Sequence, residues 1–395
     1  MSLEIIVYNS LKEINWGDLS VNRSVFQAWE WYQSSNSIGE LEIIVIKKNT
    51  IPIAVLPIYI LKDKGYYYHN PKDIFCGERE RKLFNNQLFR RFEKILDKEW
   101  FPCAVTVSPY GYRGGLIHST KLNDDVYEKI IEVIDNVCIK HKVKLISHYY
   151  LNEDDDDKWI KKLYIHDYNV INTGADCNID ITWRSMDEYY SYLGSRGRKM
   201  RSFSKNMKKK ADVRWEIIDQ FDFSPNNKRK MDSIIQLFIK TSLKYNDVSP
   251  SFHFFQNLFK NESLEKLIMI GVNTSGIIQS SLFCFVKESI FYPKFFGSLT
   301  SDDYFYLGGP WLIETAIRKK FKRIEMGGGS HQAKLQRGGK LRLLYSAVKV
   351  YDFDDEFLLN TYLKQYHMTK LNYFCNMAEK YHKDHSSVNA LEIIK

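Results

Sequence analysis

A repeated pattern of two apolar strands joined by an Asn-Thr turn is the feature that most constrains the fold of this chain. In the first half the pattern is LEIIVIKKNTIPIAVLPIYILKD, and in the second half it is LEKLIMIGVNTSGIIQSSLFCFVKES. Short apolar runs bounded by turn residues are typical of buried strands. Each half later ends a helix with basic residues and enters a short strand, at residues 141–146 and 320–325. We therefore predict one α/β unit that has been duplicated.

The duplication predicts where the chain divides. The boundary is expected near residues 175–185, which gives an N-terminal domain over residues 1–178 and a C-terminal domain over residues 179–395. The second domain would contain a basic helix at residues 195–212 and a closing helix from Asp355 to His382. A length of 395 residues agrees with two or three domains of about 150 residues each.

Composition excludes several classes of protein. Hydrophobic residues make up 44% of the chain and aromatic residues 15%, so a packed core is expected rather than disorder. The longest apolar stretch, Ile51–Leu61, is too short to cross a bilayer, and no secretory signal is visible. The six cysteines form no CxxC pair, and the adjacent side chains of Asp154–Asp157 diverge, so we expect no metal site. Together these features predict a cytoplasmic protein with reduced thiols.

Residues Ser195 to Asp212 predict a basic amphipathic helix. Met200, Phe203 and Met207 recur at helical spacing and share one face. The opposite arc carries Arg198, Arg201, Lys205, Lys208 and Lys209. Like charges at this spacing repel one another, and concentrated positive charge attracts phosphate. We predict a binding surface for RNA or a polyphosphate, which the net charge of +9 permits; the alternative is a solvated face.

An aromatic strand precedes a glycine pair in the second half. Regular alternation would place Tyr292, Lys294 and Phe296 on one side of that strand. Gly308-Gly309-Pro310 is typical of a helix start, because Pro is favoured at the first helical position. Such a start offers free amides to a phosphate or an oxyanion. An earlier start, capped by residues 301–303, is the alternative.

The stretch EMGGGSHQAKLQRGGK, residues 325–340, is the most informative one. Three glycines cost backbone entropy and therefore indicate a close approach or unusual dihedral angles. Glu325 ends a strand, where the sites of α/β proteins tend to form. His331 can take a proton from an amine, although a surface-loop histidine is the alternative for this residue alone. Lys334 and Arg337 lie three residues apart and can share a face that binds phosphate or carboxylate.

The first half has its own glycine-rich loop, SPYGYRGG, at residues 108–115. It follows a predicted strand and places two phenols and a guanidinium among glycines. We expect Tyr110, Tyr112 and Arg113 to line a cleft for a polar ligand. A plain aromatic turn is the alternative.

These motifs resemble those of the Fem-type peptidoglycan-bridge aminoacyltransferases and their FemAB-like relatives in the GNAT acyltransferase superfamily. SPYGYRGG is similar to their Pro-Tyr-Gly-Tyr-Gly-Gly loop, and the basic helix resembles the one that opens their second domain. Residues Tyr292 to Gly338 resemble a strand-helix-strand that ends in a glycine-rich turn. The resemblance covers roughly residues 20–350. It implies an α/β (α+β) fold with two GNAT-like domains in tandem, each a mixed twisted sheet flanked by helices.

The chain departs from the pattern of these relatives near the donor site. Acetyl-CoA enzymes of the superfamily carry an Arg/Gln-x-x-Gly-x-Gly loop, which Leu307-Gly308-Gly309-Pro310 does not match. Lys294 and Phe296 stand where one branch of the family has Arg and Trp, and Tyr306 stands where that branch has an acidic residue. These departures put the use of acetyl-CoA in doubt.

The resemblance implies formation of an amide by attack of an amine on an activated acyl group. The expected donor is aminoacyl-tRNA, the expected acceptor is an amine of a small molecule or cell-wall precursor, and no metal or redox cofactor is needed. We expect His331 or Glu325 to handle the proton. The predicted substrate-binding residues are Tyr110, Tyr112, Arg113, Tyr292, Lys294, Lys334 and Arg337. The predicted donor-binding residues are Arg198, Arg201, Lys205, Lys208, Lys209, Gly308 and Gly309.

Two other functions are compatible with the sequence. The first is an acyl-CoA-dependent N-acyltransferase of the GNAT type, and the second is a non-catalytic protein that binds RNA or a glycan. Binding of charged tRNA that weakens steeply with salt would support the aminoacyl-tRNA donor over the CoA alternative.

Overall fold

The computed structural model describes residues 3–20, 23–35, 38–63, 69–84, 89–90, 92–93, 100–119, 121–219, 225–244, 250–352 and 355–381. The chain forms two compact units. The first unit consists of Met1–Ala175 together with Arg342–Lys395, and the second consists of Asp176–Leu341. Two strands carry the chain from one unit into the other: β7 (Asn169–Asp180) and β13 (Lys340–Val350).

The first unit is built on a mixed sheet. Its other strands are β1 (Leu3–Tyr8), β2 (Glu40–Lys48), β3 (Ile51–Leu61), β4 (Cys103–Thr106), β5 (Ile117–His118) and β6 (Leu145–Leu151). The strand order is β1-β2-β3-β4-β6-β13, and β5 pairs with β3 off this path. Neighbouring strands are antiparallel except β4 and β6, which run parallel.

The second unit repeats this arrangement. Its other strands are β8 (Val213–Ile218), β9 (Lys266–Asn273), β10 (Ile278–Lys287), β11 (Ile290–Ser298) and β12 (Arg323–Gly327). The order is β8-β9-β10-β11-β12-β7, and again only the fourth and fifth strands, here β11 and β12, run parallel. Each unit therefore takes its sixth strand from the other half of the sequence. The shared order and orientation confirm the predicted duplication of an α/β unit.

The helices complete both units. The first unit contains α1 (Trp29–Ser34), α2 (Pro71–Cys76), α3 (Glu78–Leu83), α4 (Asp124–Lys140), α5 (Glu153–Ile165) and α13 (Glu356–Tyr381). The second contains α6 (Met186–Tyr192), α7 (Ser195–Lys208), α8 (Pro225–Lys244), α9 (Phe252–Lys260), α10 (Ser301–Tyr306), α11 (Leu312–Arg318) and α12 (His331–Gln336). Asn152 caps α5 by accepting a hydrogen bond from Asp155 N, so the run of aspartates begins a helix, where acidic side chains favour its dipole.

The C-terminal helix corrects the predicted domain division. α13 belongs to the first unit, where Tyr362 Oη donates to the Phe75 carbonyl oxygen at 2.5 Å. About two helical turns further on, Lys370 forms a buried ion pair with Glu80 at 2.8 Å. These residues recur every four positions, as Tyr362, Tyr366 and Lys370, and so form one face against α2 and α3. A domain over residues 179–395 is therefore wrong beyond Leu341, and the predicted end at His382 lies outside the described residues.

Truncating the chain after Leu341 tests this division. The truncated chain lacks the β13 neighbour of β6 and the aromatic face of α13, so we expect hydrogen-exchange protection to be lost from β2, β3 and β4. Protection in the second unit should persist, and co-expression of residues 342–395 should restore the first unit. Retention of protection in β2–β4 without the C-terminal fragment would contradict this division.

Candidate functional site

The candidate site of the second unit lies where two parallel strands part. β11 and β12 pair only at Ile290–Arg323 and Phe291–Ile324. Beyond these pairs, β12 continues to pair with β7, whereas β11 continues to pair with β10. The facing edges, residues 292–298 and 325–327, no longer pair with each other, and we call this opening the fork. Backbone groups on such an edge can bind an extended ligand.

The first unit has the same pair of parallel strands, but a loop of the chain lies between them. β4 and β6 pair from Cys103–Leu145 to Thr106–His148. A Cβ atom on Gly114 would lie 2.2 Å from the Tyr149 carbonyl oxygen and 2.6 Å from that of Thr106. Only glycine fits so close to both strands. In the first unit, the chain itself thus fills the position that corresponds to the fork.

A β-bulge places Lys294 at the edge of the fork. β10 pairs Cys284 with Pro293 and Phe283 with Phe295, so Lys294 is an extra residue in β11. Bulges redirect side chains and are frequent beside binding sites. The Lys294 ammonium group lies 5.7 Å from the centroid of the Phe295 ring. Lys294 thus lies at the fork, and its substrate-binding role stays a prediction.

The bulge overturns the predicted common face of Tyr292, Lys294 and Phe296. Phe296 packs on α10, whereas its neighbour Phe295 packs on α9 on the other side of the sheet. Tyr292 is 4% exposed and pairs with Phe285, and by register it shares the face of Phe295. An extra residue shifts by one position the alternation of side chains between the two faces of the sheet. A prediction from strict alternation therefore fails beyond the bulge.

A tight turn joins β12 to α12. Gly327 and Gly329 have φ values of 67° and 75°, and Ser330 has 46°, which is the left-handed region that favours glycine. Glu325 precedes this turn at the edge of the fork and is only 8% exposed. His331 follows it as the half-buried first residue of α12. The two predicted proton-handling groups therefore lie at opposite ends of one turn.

Lys334 has a different role from the predicted one. Its ammonium group is buried and donates to the carbonyl oxygens of Met326, Gly327 and Gly328, at 2.7, 2.8 and 2.8 Å. An ammonium group has three protons, and all of them are used in these bonds. Burial lowers the pKa of Lys334 to about 8. We therefore assign Lys334 to holding the glycine turn, and we withdraw its predicted role in anion binding.

Both predicted helix starts occur in the structure, one after Thr300 and one at Gly308-Gly309-Pro310. Thr300 caps α10 by accepting a hydrogen bond from Asp303 N at 3.2 Å. The segment Leu307–Trp311, which we call the π segment, is kinked at Gly309, whose φ of −129° and ψ of −108° are not helical, and a second helical run then leads into α11. Pro310 therefore follows the kink at the start of the second run, and the donor-binding role of Gly308 and Gly309 stays a prediction.

Arg337 packs against this glycine pair. Within the π segment, Leu312 N donates to Gly309 O, which leaves Gly308 O to accept from Arg337 Nη1 at 2.6 Å. A Cβ atom on Gly309 would lie 3.3 Å from Arg337 Nε, so glycine permits the close approach. Burial lowers the pKa of Arg337, and the phenol of Tyr304 opposes that shift. The structure thus brings Arg337, a predicted substrate-binding residue, together with Gly308 and Gly309, which we predicted to bind the donor.

Tyr304 was missed by the sequence reasoning. Its half-buried ring packs edge-on against Phe296 of β11, with 4.5 Å between the two ring centroids. A helix start at Gly308 would have left Tyr304 in a connecting loop. Recognition of the cap at Thr300 would have placed it in the first turns of α10, directly after β11.

The basic helix is present as α7, which ends before Asp212, at Lys208. Of its predicted apolar face, Met207 is buried, while Met200 and Phe203 are half-buried. The helix packs closely on α6, because a Cβ atom on Gly197 would lie 1.8 Å from the Tyr190 carbonyl oxygen.

The five predicted donor-binding residues of this basic segment fall into two groups. Arg201 pairs with Asp187 at 2.9 Å, and Lys208 pairs with Glu314 at 2.7 Å. The other group is exposed and has no ion-pair partner within the described part of the chain: Arg198, Lys205 and Lys209. At helical spacing these three side chains lie within about 40° of one another. We call them the cationic stripe.

The loop at residues 108–115 is tightly held on the first unit. Tyr110 N donates to His69 Nε2 at 3.1 Å, and both Tyr110 and Tyr112 are half-buried. Arg113 is only 5% exposed, and its Nη1 donates to the Tyr112 carbonyl oxygen at 2.9 Å. Arg113 therefore stabilises the loop rather than lining a cleft, whereas the ligand-binding role of the two tyrosines stays a prediction.

A buried carboxyl group lies behind this loop. Asp156 is 3% exposed, pairs with Arg23 at 3.4 Å and accepts a hydrogen bond from Asn152 N at 3.1 Å. A Cβ atom on Gly115 would lie 2.7 Å from Asp156 Oδ1. Burial raises the pKa of Asp156 to about 7, although Arg23 acts in the opposite direction.

One group of possible metal ligands occurs in the described residues. Glu40, Glu42 and His141 each offer a ligand atom, and these atoms lie within 4.8 Å of one another. Lys140 Nζ and His141 Nε2 approach the same oxygen of Glu42, at 2.6 and 2.7 Å. Burial alone would raise the pKa of Glu42, but these two hydrogen bonds lower it overall. We assign the group to an ion-pair network, and the absence of a metal cofactor stays a prediction.

Solved structures with a similar fold support the tandem GNAT-like architecture. FemX is 9% identical, with a TM-score of 0.55 over 88% of this chain and 98% of FemX. The C-terminal domain of a putative lysylphosphatidylglycerol synthetase from Agrobacterium fabrum is 9% identical, with a TM-score of 0.53 over 90% of this chain and 94% of that domain. A protein of unknown function from Bacteroides thetaiotaomicron is 12% identical, with a TM-score of 0.51 over 84% of this chain and 90% of that protein.

The family match identifies the chain, which has two GNAT-like units, as an acyltransferase. The FemAB-like family, described by its role in peptidoglycan biosynthesis or recognition, matches residues 84–383. The chain therefore belongs to the FemAB-like family, as its motifs indicated. No curated protein sequence matches it. Among the described residues, no helix is both long enough and apolar enough to cross a bilayer.

Replacing Lys334 tests its role in the glycine turn. Lys334→Met keeps most of the side-chain volume but leaves three carbonyl oxygens without their donor. We expect a loss of about 3 kcal/mol in the free energy of unfolding, measured by urea denaturation. Lys340→Met, at an exposed lysine beyond the turn, is the control and should change stability by less than about 0.5 kcal/mol. Equal stabilities of the two variants would contradict the assignment.

The buried carboxyl group predicts a pH dependence of stability. Because its pKa is raised in the fold, native Asp156 keeps a proton at pH values where the unfolded chain has released it. The stabilisation from this group is therefore full at low pH and is lost as the pH rises through about 7. The free energy of unfolding should fall more steeply from pH 5 to pH 8 in the wild type than in Asp156→Asn. Parallel profiles would contradict this prediction.

Proposed function

We propose that the protein transfers an aminoacyl group from aminoacyl-tRNA to an amine of a small molecule or cell-wall precursor. The observation that carries the choice of donor is the cationic stripe, which belongs to the same unit as the fork. From Arg198 to Lys209 the stripe extends about 16 Å along the helix, a length that suits several consecutive phosphates. The family description, peptidoglycan biosynthesis or recognition, supports a cell-wall acceptor.

The two groups of basic residues have different roles in this proposal. Arg201 and Lys208 are neutralised by Asp187 and Glu314 and fix the helix to its neighbours. The stripe remains available for an outside anion. Lys205 and Lys209 are four residues apart and repel one another, and a bound phosphate would relieve that repulsion. Each neutralised phosphate also releases a counterion, so binding should weaken with salt.

The chemistry is proposed to occur at the fork. The donor carbonyl lies against the free edge of β11, where backbone N–H groups can stabilise the oxyanion. Glu325 or His331 removes a proton from the attacking amine. The bulged Lys294 attracts the anionic part of a substrate, while Lys334 and Arg337 keep the glycine turn and the π segment in place.

No metal or redox cofactor takes part in this proposal, and a cytoplasmic location follows from the donor. A similar fold occurs in a putative synthetase of lysylphosphatidylglycerol, whose named product carries a lysyl group. Transfer of an aminoacyl group to a lipid is therefore a second acceptor class to include in a test.

Reversing the charge of the stripe tests the donor. In Arg198→Glu/Lys205→Glu/Lys209→Glu, we expect binding of charged tRNA to weaken by at least about 100-fold at low salt. The slope of the logarithm of the binding constant against the logarithm of the salt concentration should also become less steep by roughly two units, because about three phosphate contacts are lost. Filter binding over a range of salt concentrations measures both quantities. Intact-mass analysis after incubation with candidate amines measures transfer.

Three exposed lysines on the first unit provide a control of equal charge: Lys12→Glu/Lys48→Glu/Lys121→Glu. This variant should retain binding and transfer. Equal weakening by both variants would mean that only net charge matters and would contradict the stripe. Transfer from an acyl-CoA pool by the wild type, with none from charged tRNA, would establish the CoA alternative. RNA or glycan binding without any transfer would establish the non-catalytic one.

A further inference from the structure

α12 is too short to hold its own position. It has only six residues, His331–Gln336, and isolated helices of that length are unstable in water. Within the described part of the chain, the side chain of Ser330 does not cap its first turn. His331, one of the two groups proposed to handle the proton, is the first residue of this helix. The orientation of His331 therefore depends on contacts made further along α12.

Side chains of α6 and α7 hold the C-terminal end of α12. Tyr189 of α6 is 0% exposed, and its Oη donates to the Arg337 carbonyl oxygen at 3.0 Å. Arg337 directly follows α12, and its carbonyl oxygen is one of those that a helix leaves without a donor of its own. From α7, Arg196 Nη1 donates to the Leu335 carbonyl oxygen at 3.4 Å. The end of α12 is thus fastened at its backbone.

Close packing accompanies these hydrogen bonds. Gly338 has a φ of 84°, and a Cβ atom on it would lie 3.0 Å from Tyr192 Cε1 and 3.3 Å from Leu193 Cδ2. A larger residue at this position would therefore push against α6. Trp183 packs on two tyrosines of α6, with centroid distances of 4.8 Å to Tyr189 and 5.1 Å to Tyr192. Tyr189 itself is therefore held in place.

α12 is also attached to the glycine turn. Lys334 donates to three carbonyl oxygens of that turn, at 2.7 to 2.8 Å. Two points of attachment fix the direction of a helix axis, whereas one does not. The Arg337 side chain also binds Gly308 O, but its rotatable bonds permit movement of the backbone. Without the Tyr189 bond, α12 could turn about Lys334, and His331 would move with it.

We propose that Tyr189 is a positioning residue, which orients α12 and so holds His331 in place to take the proton of the attacking amine. This proposal rests on the proposed function, and it assigns the amine proton to His331. The amine nitrogen forms a bond to the carbonyl carbon, the carbon–oxygen bond to the ribose breaks, and the ribose oxygen takes a proton from solvent. Tyr189 Oη also lies 3.6 Å from Met200 Sδ of α7, so one phenol joins the helix that carries the cationic stripe to the helix that carries His331.

The experiment compares Tyr189→Phe with Tyr190→Phe, with a pool of charged tRNAs as the donor. Tyr190 is the control because it is the next residue of α6, is also buried, and faces α7, where the Arg201 guanidinium group lies 5.2 Å from the centroid of its ring. We expect Tyr189→Phe to lower kcat about 10-fold, and to leave KM for charged tRNA and the dissociation constant within about 2-fold of the wild type. Tyr190→Phe should change none of these quantities.

Two further measurements separate positioning from a structural role. In Tyr189→Phe, hydrogen exchange at residues 331–338 should be at least about 10-fold faster, with unchanged exchange in β9 and β10. In a chain that already carries His331→Gln, Tyr189→Phe should lower kcat by less than about 2-fold, because it acts through His331. Tyr192→Ala removes the ring beside Gly338 from an exposed position and is the second variant, with an expected loss in kcat of about 3-fold.

Each other outcome overturns an identifiable part of this scheme. Faster exchange without a loss in kcat, or the full 10-fold loss in the chain with His331→Gln, would assign Tyr189 a structural role and overturn the proposal alone. A higher KM with unchanged kcat, or equal losses in Tyr189→Phe and Tyr190→Phe, would overturn it as well. A wild type that transfers from no charged tRNA would overturn the proposed function, and this proposal with it.

Discussion

The second unit depends on a backbone constraint: β12 cannot follow both of its neighbours to the end. It remains paired with β7 through Gly327, while β11 remains paired with β10 through a bulge at Lys294. The two parallel strands therefore part after two residue pairs. The parted edges expose backbone donors and acceptors in the interior of a sheet, where such groups are normally satisfied. A ligand that forms hydrogen bonds to these edges would replace the missing pairing.

The elements around the fork keep it open. The Lys334 ammonium group donates hydrogen bonds to three carbonyl oxygens of the glycine turn, and Arg337 donates one to the Gly308 carbonyl oxygen of the π segment. The first unit has the same strand order but a different outcome, because Gly114 brings a loop between its parallel strands. Duplication thus produced two similar scaffolds, and we infer that the second one carries the chemistry.

Much of the fold could be predicted from the sequence, because apolar runs, turns and glycines report directly on local structure. The duplication, the basic helix and the importance of the glycine turn all follow from such patterns. The unit to which α13 belongs could not be predicted in this way. Only the contacts of Tyr362 and Lys370 with residues far away in the sequence place this helix on the first unit. Lys334 and Arg113 were misassigned for a related reason: a charged residue among glycines attracts a functional interpretation, although its donors can be used by nearby carbonyls. Tyr304 was missed because the earlier helix start was treated as an alternative to the start at Gly-Gly-Pro, whereas the chain uses both.

In the proposed function, the fork of the second unit holds the acyl end of the donor. Hydrogen exchange with and without an acceptor-stem RNA carrying an amide-linked, unreactive aminoacyl group tests this claim most directly. Slower exchange at residues 290–298 and 323–331, with unchanged exchange at residues 103–118, is the predicted result. Slower exchange confined to residues 103–118, or no change at either parallel strand pair when the RNA is bound, would contradict it.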